Sequence, residues 1–205
     1  MTAVAELAEL LTSLDRRRET VIDLLCTDQP REAWRLYPGE YGVFDRSSGC
    51  QFYFHAHPEA AHEAGHIHTV RFFPDHTAHI VGISLSGDGW PQSLFTVNLW
   101  AVGDADEGPE RLKQFARQFR LHERPGPADA VRFVNLIFRA FLPEIEALQD
   151  AKAAALAAYR ARHPGRDPFE DRELEILSSI PIDVRREPYA GGTNGQSRAA
   201  HPRQR

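Results

Sequence analysis

The sequence predicts an α+β fold: a small antiparallel sheet of about four strands, within residues 51–101, packed against N-terminal and C-terminal helices. Three observations predict it. Apolar residues recur every three or four positions at both ends of the chain. β-Branched and aromatic residues with turn signals fill the middle. Proline and glycine stand at both changes of texture. A chain of 205 residues, 42% of them apolar, suits one domain, here residues 1–184.

The first element runs through Val4, Leu7, Leu11, Leu14, Val21 and Leu25, an amphipathic helix interrupted at Arg18. Pro30 and Pro38-Gly39 end helical structure. Four strands follow, at 51–57, 66–73, 78–86 and 93–101, with turns at Pro74-Asp75 and Gly87-Asp88-Gly89. After Gly108-Pro109 the helical period returns with Leu112, Phe115 and Phe119. A longer helix carries Val131, Val134, Phe138, Phe141, Ile145 and Leu148 on one stripe, with a kink at Pro143, and the alanine-rich run from Ala151 extends or restarts it. Residues 171–178 read as one more short helix. Residues 185–205 predict a disordered basic tail with little to bury.

Charge and composition exclude several classes. The formal charge is −5, and residues 185–205 hold five Arg against one Glu, so the body stands at −9. An acidic body argues against nucleic acid as a partner. No apolar run reaches the length of a membrane helix, and none of the first thirty residues forms an uninterrupted apolar leader segment. Cys26 and Cys50 form no CxxC and no disulfide scaffold, which suits a reducing compartment. The expected location is the cytoplasm.

The histidines carry the chemistry. Five of the ten lie between residues 52 and 73, in FYFHAHPEAAHEAGHIHTVRFF, with His76 and His79 close behind. Strand side chains alternate, so His55 and His57 share one face of their strand, and His66 and His68 share one face of theirs. A symmetric hairpin through residues 58–65 pairs His57 with His66 and His55 with His68. The turn at Pro74 pairs Phe72 with His79, which would put the histidines on the apolar face with Val81, Ile83 and Leu85, and Asn98 opposite His79. Clustered buried imidazoles need partners for both ring nitrogens, and a metal supplies one directly. The candidate ligands are His55, His57, His66 and His68 to one transition metal ion, iron, copper or zinc. Glu63 is the candidate catalytic residue, as a base or an oxygen ligand, and His79 and Asn98 are candidates for an outer shell. His62 and His76 read as loop residues.

The stretch from Gly49 through His55-Ala56-His57 resembles the opening of the first cupin motif, a glycine followed after five residues by His-x-His. That motif brings its Glu three or four residues after the second His, whereas Glu63 comes after five, and no glycine-framed second motif follows. The longer string HAHP, EAGHIH and HIVGISLSGDGWPQSLFTVNLW resembles an uncharacterised bacterial family of unknown function, with HxH, then ExGHxH, then a strand ending in LFTxNxW. That resemblance implies that the histidines and Glu63 are a shared feature, and it implies no reaction. His66-Ile67-His68 is also similar to the His-hydrophobic-His motif of single-strand nicking enzymes, for which Tyr159 would be the nucleophile.

These readings converge on a metal-binding protein with a mononuclear site, a non-haem iron, copper or zinc enzyme acting on a small-molecule substrate. The alternative is a non-catalytic metal-binding or accessory module, and a nicking nuclease ranks behind both.

Overall fold

The computed structural model describes residues 1–27, 29–57, 63–122 and 126–185. The predicted tail from 186 on and the loop residues Glu59 and His62 lie outside the described residues.

The N-terminal stripe forms two helices rather than one. Helix α1 (Ala3–Arg17) begins at Thr2, whose hydroxyl accepts the Ala5 N–H, and ends at Arg18, in the left-handed region at φ 58°. Helix α2 (Val21–Cys26) restarts at Thr20, where a capping box with Asp23 outcompetes continuation. The long C-terminal stripe is likewise split, into α4 (Ala128–Ala140) and α5 (Leu142–Arg162), by a break at Phe141, whose φ of −122° and ψ of 27° leave the helical region. Pro143 falls in the first turn of α5, where its missing N–H would have had no partner anyway. Helix α3 (Pro109–Gln118) begins at Gly108, as the period predicts.

The sheet has six antiparallel strands, not four, in sequential order: β1 (Val43–Asp45), β2 (Cys50–His55), β3 (Gly65–Phe72), β4 (Thr77–Leu85), β5 (Pro91–Val97) and β6 (Ile176–Pro181). The two extra strands are the edges. β1 is too short to show a period, and the stretch expected to be a helix at 171–178 holds no helix: a 3-10 turn, Pro168–Glu170, precedes it, and β6 begins within it at Ile176. Partners distant in sequence, not local pattern, make β6 a strand: it pairs along β5 from Ser93–Pro181 to Val97–Ile176.

One face of this sheet packs on the helices. Phe52, Phe54, Ile67, Val81, Ile83, Leu85 and Leu94 join Leu7, Leu14, Phe133 and Ile137 in a single buried cluster. The expectation that the histidines share this face is overturned. Val70 pairs with His79 but Thr69 pairs with Val81, so Ile80 is a bulge with no partner on β3. The bulge reverses parity along β4: His79 stays on the His66–His68 side, while Val81, Ile83 and Leu85 turn to the helices. The carbonyl of Ile80 accepts a hydrogen bond from Gln149 Nε2 on α5, at 2.8 Å. Among the described residues no helix is long and apolar enough to cross a membrane.

Candidate metal centre

β2 and β3 present their histidines side by side on the face away from the helices. The pairing is His55 with His66 and Tyr53 with His68, two residues from the expected hairpin. A slip of two keeps every side chain on its face. His57 therefore lies just past the strand end, with its ring 4.8 Å from that of His55 and 4.9 Å from that of His66.

Three ring nitrogens, one each from His55, His66 and His68, lie within 4.8 Å of one another and could hold a metal ion. The closest two are Nε2 of His55 and Nε2 of His68, 3.1 Å apart. Ligand nitrogens about 2.0–2.1 Å from a tetrahedral ion stand about 3.3 Å apart, so this separation suits one shared ion. Without an ion, two neutral imidazoles can satisfy that contact only by pointing one N–H at the other's lone pair.

The outer contacts set which nitrogen each ring offers. Nδ1 of His66 lies 2.6 Å from Oε1 of Glu63, and a carboxylate can only accept, so Nδ1 carries the proton and Nε2 keeps its lone pair. Nδ1 of His68 lies 3.0 Å from Nε2 of His79, so an N–H donated by His68 leaves its own Nε2 free for an ion. His79 thus stands behind His68 as Glu63 stands behind His66. Asn98 does neither: its Nδ2 donates to the carbonyls of Pro168 and Leu174, so it ties β5 to the segment before β6 and not to His79.

Burial favours the neutral form of His55, His68 and His79. Loss of solvent, with His66 and His57 close by, pushes the His55 imidazole down to about 3. Burial likewise pushes His79 down to about 3, helped by the Lys152 charge, and His68 well below its ordinary value. Burial would raise the Glu63 carboxyl, but hydrogen bonds with His66 and Ser84 outweigh it and keep the group ionised below the usual range. Neutral imidazole is the form that binds metals. The Nε2 of His57 is buried and has no hydrogen-bond partner among the described residues, an orphan beside the other three rings.

The cluster forms one wall of a cavity of about 730 Å³. Also lining it are side chains that sequence reasoning missed: Trp34, Trp100, Phe95, Arg172 and Glu175. Two of the chain's three tryptophans line this one cavity, which is the signal the sequence did hold. Trp34 sits in the left-handed region, φ 68°, donates its backbone N–H to the Ala56 carbonyl, and packs its ring 4.1 Å from that of His57. That conformation costs of order 1–3 kcal/mol and clusters at functional sites. Phe95 lies flat over Gly82, where a Cβ would come within 2.3 Å of its ring, and presents an edge to His66 and His68.

Other sequence candidates lie elsewhere. His76 is bonded to Asp75 and Glu107, and Tyr159 donates its hydroxyl to Asp171 outside this cavity, which leaves the nicking-enzyme reading without its nucleophile at the histidines. Cys26 and Cys50 are buried free thiols.

The family described as Domain of unknown function (DUF6969) matches residues 1–182. The chain belongs to that family. The DUF6969 match spans every strand and the whole histidine cluster, in agreement with the resemblance to an uncharacterised family seen in the HxH and ExGHxH motifs. No curated protein and no solved structure matches the chain.

Proposed function

We propose that this DUF6969 domain is a mononuclear metalloprotein in which His55, His66 and His68 bind a transition ion, and that it is a metal-dependent oxidoreductase acting on a small molecule in the adjoining cavity. The observation that carries the reading is the 3.1 Å approach of two Nε2 atoms, held neutral by burial, with a third imidazole nitrogen beside them on a cavity wall. Imidazole-only ligation suits iron, copper or zinc over magnesium or calcium. Iron or copper would supply activation of dioxygen there. Hydrolysis is the weaker reading, because the carboxylate bonded to the cluster, Glu63, is already committed to orienting His66. Glu63 accordingly serves the site as a positioning residue. The free thiols support a cytoplasmic setting.

The orphaned Nε2 of His57 supports a second reading. If His57 turns inward as a fourth nitrogen ligand, the shell is closed and the domain is a binding or accessory module without turnover.

Elemental analysis of protein purified without chelator tests the first claim, with about one equivalent of iron, copper or zinc expected. The spectrum of the cobalt-substituted protein, with and without azide, separates the two readings. A change on adding azide shows an open position and an enzyme-like site. An unchanged spectrum that becomes responsive in His57→Ala shows a closed one.

A further inference from the structure

The cavity above the histidines is built unequally. Phe95 and Val97 from β5, Ile176 from β6 and Val102 give it an apolar floor. Trp34 and Ile176 are 62% and 49% exposed, so two of the few large apolar side chains left in solvent face this one space. Exposed apolar surface gathered in a concave site marks a binding place for an apolar group. Its volume of about 730 Å³ falls in the range of small-molecule sites.

The lining also holds a cation. The indole Nε1 of Trp100 donates to the Leu174 carbonyl at 3.2 Å, which fixes the ring. The guanidinium of Arg172 lies 5.1 Å from that ring's centre. In a chain with a formal charge of −5, Arg172 makes no ion pair with any described residue. Glu175 lines the same cavity, and no ion pair within 4.0 Å joins it to Arg172. Stacking holds the planar guanidinium without using its N–H groups, so they remain available as a fork that matches a carboxylate.

We propose that the cavity binds a small organic carboxylate with an apolar, ring-sized body. Its carboxylate sits on Arg172 and its body lies against Phe95, Val97 and Ile176. The far end of the body is presented to the histidines, and this last clause rests on the metal reading above.

The test uses benzoate and phenylacetate against the neutral isostere benzamide, with quenching of the Trp34 and Trp100 fluorescence as the readout, on protein as purified and after chelation. The carboxylates should bind at least tenfold more tightly than the amide in both samples. Arg172→Gln should remove that preference while leaving amide binding unchanged, and Arg172→Lys, which keeps charge but loses the fork, should fall between. Equal binding of acid and amide overturns the proposal. So does a preference that vanishes on chelation and ignores Arg172→Gln, because the carboxylate would then sit on the metal. A preference that depends on Arg172 in protein containing no metal would leave this assignment standing while removing the metal reading.

Discussion

Glu63 Oε1 lies 2.6 Å from Nδ1 of His66, so the carboxylate reaches the cluster through an imidazole. The His66 ring is buried and Glu63 half-buried, which makes this a short, partly desolvated, charge-assisted contact rather than a surface ion pair. It fixes both the tautomer and the tilt of His66.

From this contact, Glu63→Gln should weaken metal binding by about 10- to 100-fold without abolishing it, since outer partners of ligating histidines contribute on that scale. Competition titration against a chromophoric chelator measures it. Unchanged affinity would show that His66 needs no partner; complete loss at saturating metal would make Glu63 a direct ligand.

The double change His66→Ala with His68→Ala should abolish metal binding, whereas His163→Ala, at the end of α5, should leave one equivalent in place. Metal content after purification checks both. Equal loss in the two proteins would point to general unfolding.

Acid should destabilise the metal-free protein in a defined window. His55 and His79 are pushed down to about 3 by burial, so between that value and the ordinary 6.5 the unfolded chain binds protons that the folded chain refuses. Stability contributed by these groups is therefore full above about pH 6.5 and is lost as pH falls toward 3. Thermal midpoints across pH 4–8 should decline on the acid side, and His79→Phe should flatten the decline. An equal slope in the variant would assign the acid sensitivity to other groups.

Gly82→Ala should cost about 1–3 kcal/mol, because the new methyl group would overlap the Phe95 ring and have to displace it. Phe95 edges on His66 and His68, so metal affinity should fall along with stability. Chemical denaturation with and without metal reads both effects. A variant as stable as wild type would mean that Phe95 has room to turn aside.

Removing residues 187–205 should leave the thermal midpoint and metal content unchanged, since that segment offers almost no apolar surface. Arg185 belongs to the folded part: its guanidinium bonds Asp88 at 2.6 Å and lies 4.3 Å from the centre of the Trp90 ring. A fall of several degrees on truncation at 186 would show that the segment docks.

The residue pattern alone determined that His55 shares a face with His66 and His68, because strand side chains alternate with period two and a two-residue slip leaves that parity intact. It also determined the chemistry on offer, since neutral imidazoles at strand spacing suit a transition ion whatever surrounds them. The tertiary structure decided which face that was. The bulge at Ile80 reverses parity along β4, and nothing in the local sequence marks it; Gln149, from a helix some seventy residues away, satisfies the freed carbonyl. The structure likewise decided that Asn98 holds the β6 side of the fold while His79 backs His68, because both depend on register across non-local pairs. The part of the cavity lining made by Trp100, Arg172 and Ile176 came into view only once β6 paired with β5. Periodicity is local and can be read in the sequence; register, bulges and edge strands are settled by contacts between residues far apart in the chain.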